Sequence, residues 1–160
     1  MPKIKIYTDG AARGNPGPGG YGVILEYQGK TKELSEGFRL TTNNRMELLA
    51  VIVGLEEIKN SKYEIIIYSD SKYVVDAVNK NWVFNWEKNN YKKKKNPDLW
   101  KRFLKIYRQY NVQLKWVKGH AGHIQNERCD YLAVESSNRT NLQVDTSYEL
   151  TNNSQKNLFN

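Results

Sequence analysis

A chain of 160 residues with 39% hydrophobic and 26% charged side chains fits one globular domain with a sizeable core. Its single cysteine, Cys129, excludes an internal disulfide, no apolar run approaches the length of a bilayer span, and Met1-Pro2-Lys3-Ile4-Lys5 lacks the apolar stretch of a signal peptide, so a cytoplasmic protein is expected. The formal net charge of +8 favours polyanionic partners, and 12 of the 25 Lys and Arg, against two acids, fall between Asn79 and Lys118, which leaves the rest of the chain slightly acidic.

The elements follow in order. Lys3 to Thr8 alternates and ends in an acid, as a strand does. Gly10 to Gly20, rich in Gly and Pro, is expected as a loop. Tyr21 to Tyr27 and Lys30 to Phe38 flank Gln28-Gly29 and form a hairpin. From Asn44 to Ile58, Met46, Leu49, Val53 and Ile58 recur at helical spacing. Ile65 to Tyr68 is a short apolar strand that again ends in an acid, and Ser71 to Val78 is a short helix. In the basic segment that follows, Trp82, Trp86, Tyr91, Trp100 and Tyr107 are interleaved with lysines. That mixture suits nucleic-acid contact by stacking and phosphate pairing, and it suits ordinary helix packing as well. Pro97-Asp98 opens a helix with Leu99, Phe103 and Tyr107 on one face. Val112 to Val117 is a strand and Asn126 to Ser137 a final helix. A strand meander followed by strand–helix–strand units predicts an α/β fold with a mixed sheet covered by helices. The polar tail at 151–160 is expected to be disordered.

Ile6-Tyr7-Thr8-Asp9 and Ile67-Tyr68-Ser69-Asp70 end alike, each with a carboxylate past an apolar run. If the two strands lie parallel and adjacent, the acids meet at the sheet edge where α/β proteins place their sites. Each alone is equally a turn residue or, for Asp70, a helix cap. Glu47 has the position of a capping-box acid after Asn44-Arg45-Met46, and Asp130 lies early in a helix, where acids suit the dipole. Joined, the four acids could hold a pair of divalent ions for phosphodiester hydrolysis, since Mg²⁺ takes oxygen ligands and clustered carboxylates repel one another without a cation. Both histidines, His120 and His123, sit in a glycine-flanked loop, where either could move a proton or lie idle at the surface. Zinc held by His120, His123 and Cys129 is a further alternative without a recognised ligand spacing. Gly17-Pro18-Gly19-Gly20-Tyr21-Gly22 matches G-x-G-x-x-G but leads into a strand, so it is no dinucleotide fingerprint; it reads as a tight turn bringing backbone close to something large.

Six stretches in order carry a resemblance: Tyr7-Thr8-Asp9-Gly10; Gly14-Asn15-Pro16-Gly17 through Gly22; Thr41-Thr42-Asn43-Asn44-Arg45-Met46-Glu47; Ser69-Asp70-Ser71; Trp116 through His123; and Asn126-Glu127-Arg128-Cys129-Asp130. With these the chain resembles the type 1 ribonuclease H family, and its bacterial members closely, from the N-terminus to about Leu150. The resemblance implies a ribonuclease H-like fold, a five-stranded mixed sheet with helices on both faces, spanning a catalytic domain at 1–150. It implies Asp9, Glu47, Asp70 and Asp130 as catalytic metal ligands for two Mg²⁺, with Mn²⁺ able to substitute, and His120 as a mobile histidine near the leaving group. It implies contacts to an RNA–DNA hybrid through Gly10, Asn15, Asn43 and Asn44, a DNA phosphate at Thr42, and a basic protrusion at about 82–95 that includes Trp82, Lys92, Lys93 and Lys94. The activity implied is hydrolysis of the RNA strand, leaving 5′-phosphate and 3′-hydroxyl ends, by a monomer without membrane contact. The alternatives are a non-catalytic hybrid-binding module and a DNA-cutting nuclease of the same fold, such as a junction resolvase or an integrase.

Overall fold

The computed structural model describes residues 2–119 and 123–159, with side chains as far as Asn153. Five strands, β1 (Lys3–Ala12), β2 (Gly17–Tyr27), β3 (Lys30–Thr41), β4 (Glu64–Ser69) and β5 (Asn111–Trp116), form one sheet in the order β3-β2-β1-β4-β5. The first three are antiparallel neighbours, while β4 runs parallel to both β1 and β5. The helices are α1 (Asn43–Glu56), α2 (Lys72–Asn79), α3 (Trp82–Lys88), α4 (Pro97–Tyr107), α5 (Ile124–Ser137) and α6 (Thr146–Phe159). None is long and apolar enough to cross a membrane among the described residues.

Strand alternation divides the core. Ile4, Ile6, Val23, Ile65 and Ile67 enter a large cluster with α1, α2 and α4, whereas Tyr7 and Ile24 turn to the other face and meet Cys129 and Leu132 of α5. The sheet therefore carries helices on both faces, as expected. Helix α1 is buried from Met46 through Ile52 without a break, so it has no solvent face over that stretch. The one-sided helical spacing read from the sequence understates this; a helix apolar all round belongs in the middle of a core.

Two expectations change. The segment from Gly10 to Gly20 is mostly strand, and the loop shrinks to residues 13–16 between β1 and β2. Glycine is needed in β2 and β3 for close approach of backbones. A Cβ on Gly22 would strike the Cys129 carbonyl of α5, and one on Gly37 would strike the Ser136 carbonyl, both far inside contact distance. The large object brought near the Gly-rich run is α5 itself. Gly37→Ala is expected to cost about 1–3 kcal/mol by overpacking, read as a lower melting temperature; an unchanged midpoint would mean that α5 is free to shift. The tail, expected as disordered, continues α6 to Phe159. Its start is pinned by Gln143, whose N–H donates to the Gly37 carbonyl and whose carbonyl accepts from Arg39 N–H. Helix propagation from an anchored first turn costs less than nucleation of an isolated one.

Candidate active site

β1 and β4 are adjacent and parallel, with Tyr7 paired to Tyr68 and their rings stacked at 5.1 Å. The same register carries Asp9 and Asp70 to one edge of the sheet. Glu47 arrives from α1, whose backbone at Met46 and Glu47 presses so closely on Gly10 that no side chain fits there. The Gly10 N–H donates to both Asp9 Oδ1 (2.9 Å) and Glu47 Oε1 (2.7 Å), which ties the strand-borne acid to the helix-borne one. One carboxylate oxygen from each of Asp9, Glu47 and Asp70 lies within 4.8 Å of the others.

The bland roles open in the sequence are filled by neighbours. Thr42, not Asn44, caps α1, its hydroxyl accepting from Arg45 N–H, so Glu47 is not engaged in a capping box. Ser71, not Asp70, caps α2. Both acids are left for the cleft.

Among the described residues, the acids lack cationic partners from the protein. No described Lys or Arg nitrogen pairs with Asp9, Glu47, Asp70 or Asp130. Burial, and then the charges of Asp70 and Asp130, push Asp9 up to about 7 against the hydrogen bond from Glu47. Burial, with the hydrogen bond and charge of Asp9, holds Glu47 well above the usual carboxylate range. Glu47 Oε2 is buried with no hydrogen-bond partner. An orphaned carboxylate oxygen beside two convergent acids is what a divalent cation would satisfy, and all-oxygen donors suit Mg²⁺ or Mn²⁺.

Asp130 on α5 stands outside the 4.8 Å group but lines the same clefts as Asp9 and Asp70. Asn126, one helical turn earlier, lines one of them with a buried Oδ1 that has no partner. From sequence alone Asn126 carried no role; its i,i+4 spacing from Asp130 was the available signal. At the end of β5, Trp116 Nε1 donates to the Asp70 carbonyl (3.0 Å), and beyond it Gly119 sits against the Asp70 carboxylate with His123 nearby in the cleft. His120 lies outside the described residues. Cys129 is buried and donates to the Tyr7 carbonyl (3.2 Å), and burial pushes its thiol up, so the zinc alternative loses its sulfur.

Gly10, Asn43 and Asn44 share the open side of the acid cleft. Asn15 Oδ1 accepts from Asn43 N–H (2.9 Å) and Asn43 Oδ1 from Ala12 N–H (2.5 Å), which pins the 13–16 loop to the start of α1. Asn44 also borders a second cleft of about 620 Å³, shared with Asn15, Thr42 and Lys94. Trp82, Lys92 and Lys93 line neither cleft. Trp82 opens α3 with 43% of its surface exposed and the Lys80 ammonium 5.3 Å from its ring, and Lys94 stacks over Trp86 at 5.1 Å.

Known proteins are similar to this chain over most of its length. The RNase H family model matches residues 1–138. A ribonuclease H of Desulforamulus reducens is 55% identical over 150 residues, covering 91% of this chain and 94% of its own. A ribonuclease HI of Shewanella oneidensis is 50% identical over 151 residues, with 91% and 94% covered. Among solved structures, LC9-RNase H1 superposes with a TM-score of 0.76 at 32% identity, over 86% of this chain and 72% of that one. LC11-RNase H1, solved in complex with an RNA/DNA hybrid, superposes at 0.63 with 31% identity, over 84% and 96%. The likeness extends over nearly the whole length of the chain, and the chain belongs to the ribonuclease H family of enzymes.

Proposed function

We propose that this protein hydrolyses the RNA strand of RNA–DNA hybrids at the Asp9–Glu47–Asp70–Asp130 cleft, leaving 5′-phosphate and 3′-hydroxyl ends. The observation that carries the reading is the convergence of three carboxylates around Gly10 with one buried oxygen unpaired. Asp9, Glu47, Asp70 and Asp130 would hold two Mg²⁺, with Mn²⁺ able to replace them. When bound, such ions lower the pKa of water and stabilise charge on the attacking and leaving oxygens. The protein's part is to fix the spacing of the four acids and to exclude competing cations from their oxygens. His120 would serve the leaving oxygen as a proton carrier.

Strand choice follows from what lies beside the acids. Only RNA offers a 2′-hydroxyl, and an amide side chain both donates to and accepts from one. Asn15, Asn43 and Asn44 supply amides, and Gly10 lines the acid cleft beside Asn43 and Asn44. Thr42 and Lys94 would take phosphates of the DNA strand, while Trp82, Lys92 and Lys93 on the protrusion at 82–95 would add stacking and charge. Residues 1–150 form the catalytic domain in this reading, working as a cytoplasmic monomer.

The test is an Mg²⁺-dependent cleavage assay on end-labelled RNA–DNA hybrid, double-stranded RNA and double-stranded DNA in parallel. Cutting confined to the RNA of the hybrid is expected. Binding without cutting, in Mg²⁺ and in Mn²⁺, would leave only a hybrid-binding module; cutting of the DNA duplex would point to a DNA nuclease.

A further inference from the structure

Among the described residues, one cation shares the open side of the acid cleft with Asp9, Glu47, Asp70 and Asp130: Lys72, the first residue of α2. Lys118 borders the cleft on its α5 side. An ammonium at the rim is attracted by clustered carboxylates. Lys72 nevertheless pairs with none of them. Its Nζ stands over the ring of Trp116, 4.9 Å from the centroid. That indole is 44% exposed, yet it is held in place. Its Nε1 donates to the Asp70 carbonyl (3.0 Å), and the next residue, Val117, donates its N–H to the Ser69 carbonyl (2.9 Å). The end of β5 is thus tied to the end of β4, and the ring is fixed to the backbone of the residue that lies two positions before Lys72. Lysine carries a compact charge on a flexible four-carbon stem. From the start of α2 it has two places to settle, the ring or the acids.

We propose that Trp116 is a positioning residue that parks the Lys72 ammonium beside the cleft, and so keeps a cation of the protein's own from competing with divalent ions for the acids. The inference rests on the acid cleft being a metal site. A carboxylate could hold Lys72 as well, but it would add a further negative charge at the rim. An indole face attracts an ammonium through its quadrupole and adds none. At an exposed site such a contact amounts to a roughly two- to fivefold preference. That is enough to bias a lysine between two places without locking it in either.

The test is the affinity of Mn²⁺ for the full chain without substrate, read from the electron paramagnetic resonance signal of the free ion at fixed ionic strength. Both side chains are exposed, so their substitution leaves the core intact. Trp116→Leu is expected to raise the Kd for Mn²⁺ roughly two- to fivefold. Trp116→Phe keeps a ring face but loses the N–H to Asp70, and it should recover most of the affinity. Lys72→Gln should bind at least as tightly as the wild type, and Trp116→Leu added to it should have no further effect. A Trp116→Leu loss that persists without Lys72 would place the effect in the Asp70 backbone instead. That outcome, an equal loss in Trp116→Phe, no loss in Trp116→Leu, or weaker binding by Lys72→Gln would each overturn the proposal. In all of these the wild type still binds Mn²⁺, so the metal site stands and only the role of Trp116 falls. A wild type that binds no Mn²⁺ would overturn both.

Discussion

Asp9→Asn is expected to reduce cleavage of hybrid by more than about 100-fold, a loss that even outer-shell partners of metal sites can reach, and yet to make the metal-free protein more stable. The activity loss follows from removing one of three convergent carboxylates. The stability gain follows from linkage. Burial, and then the charges of Asp70 and Asp130, push Asp9 up to about 7 from an ordinary 3.8. A carboxyl with a raised folded-state pKa penalises the native state once it ionises: the penalty is absent below about 4, grows as pH rises and is complete above about 7. An asparagine carries no such penalty, so the gain above neutrality is on the order of 4 kcal/mol. Urea melts with chelator at about pH 5 and about pH 8 measure it. The variant should gain at the higher pH and much less at the lower, and added Mg²⁺ should stabilise the wild type more than the variant. An equal difference at both pH values would contradict like-charge repulsion as its source.

Arg45→Met is expected to cost about 3–5 kcal/mol of stability, because it strands two carboxylates in a place built around a cation. The Arg45 side chain is 4% exposed, with Asp145 at 11% and Asp98 at 35%. Its Nη1 and Nη2 reach Asp98 at 2.9 and 2.7 Å, and Nη1 also reaches Asn96 at 3.3 Å. Hydrogen bonds to Asp98 and Asp145 hold the guanidinium above its ordinary pKa although burial opposes them, and Arg45 holds Asp98 below its own value although burial opposes that as well. A depressed acid contributes stability at neutral pH and loses it as pH falls through its folded-state value, so the Asp98 share vanishes only in acid, below 3.8. Arg45→Lys keeps the charge but not the fork geometry, so it should recover part of the loss. Adding Asp98→Asn and Asp145→Asn to Arg45→Met should recover part as well, since no unpaired charge then remains. A loss under about 1 kcal/mol in denaturant melts would mean that water reaches the cluster and screens it as at a surface.

How far the sequence reveals the site depends on the distance over which each part is encoded. Asp9 and Asp70 are legible because each ends a short apolar strand, and local pattern carries that information. The six motifs place Glu47 and Asp130 by resemblance; composition and spacing do not. The Arg45 cluster is not legible, because its partners lie 53 and 100 residues away. Asp98 reads as a first-turn acid of α4, and Asp145 falls between elements. The Gly10 to Gly20 stretch misleads because glycine has two uses. It opens turns, and it lets backbones touch; in β2 the second use prevails through contact with α5, which no local rule detects. Helix α3 is hidden for a related reason. Seven residues among lysines show no sustained period, yet Val83 is fully buried and Trp86 packs edge-on against Trp100 at 5.7 Å.

The seam at Gly10 has a consequence for engineering. Main-chain atoms of Met46 and Glu47 rest directly on it, and its N–H bridges Asp9 and Glu47. The gap between those two acids is therefore gauged by peptide units rather than by the bulk of neighbouring side chains. Volume-conserving changes deeper in the sheet, at Ile6 or Ile67 for example, can alter how firmly the molecule holds together without rescaling that gap. Durability and chemistry are separate dials in this scaffold, and a variant selected for heat resistance through its core should reach higher temperatures with the geometry of its acids intact.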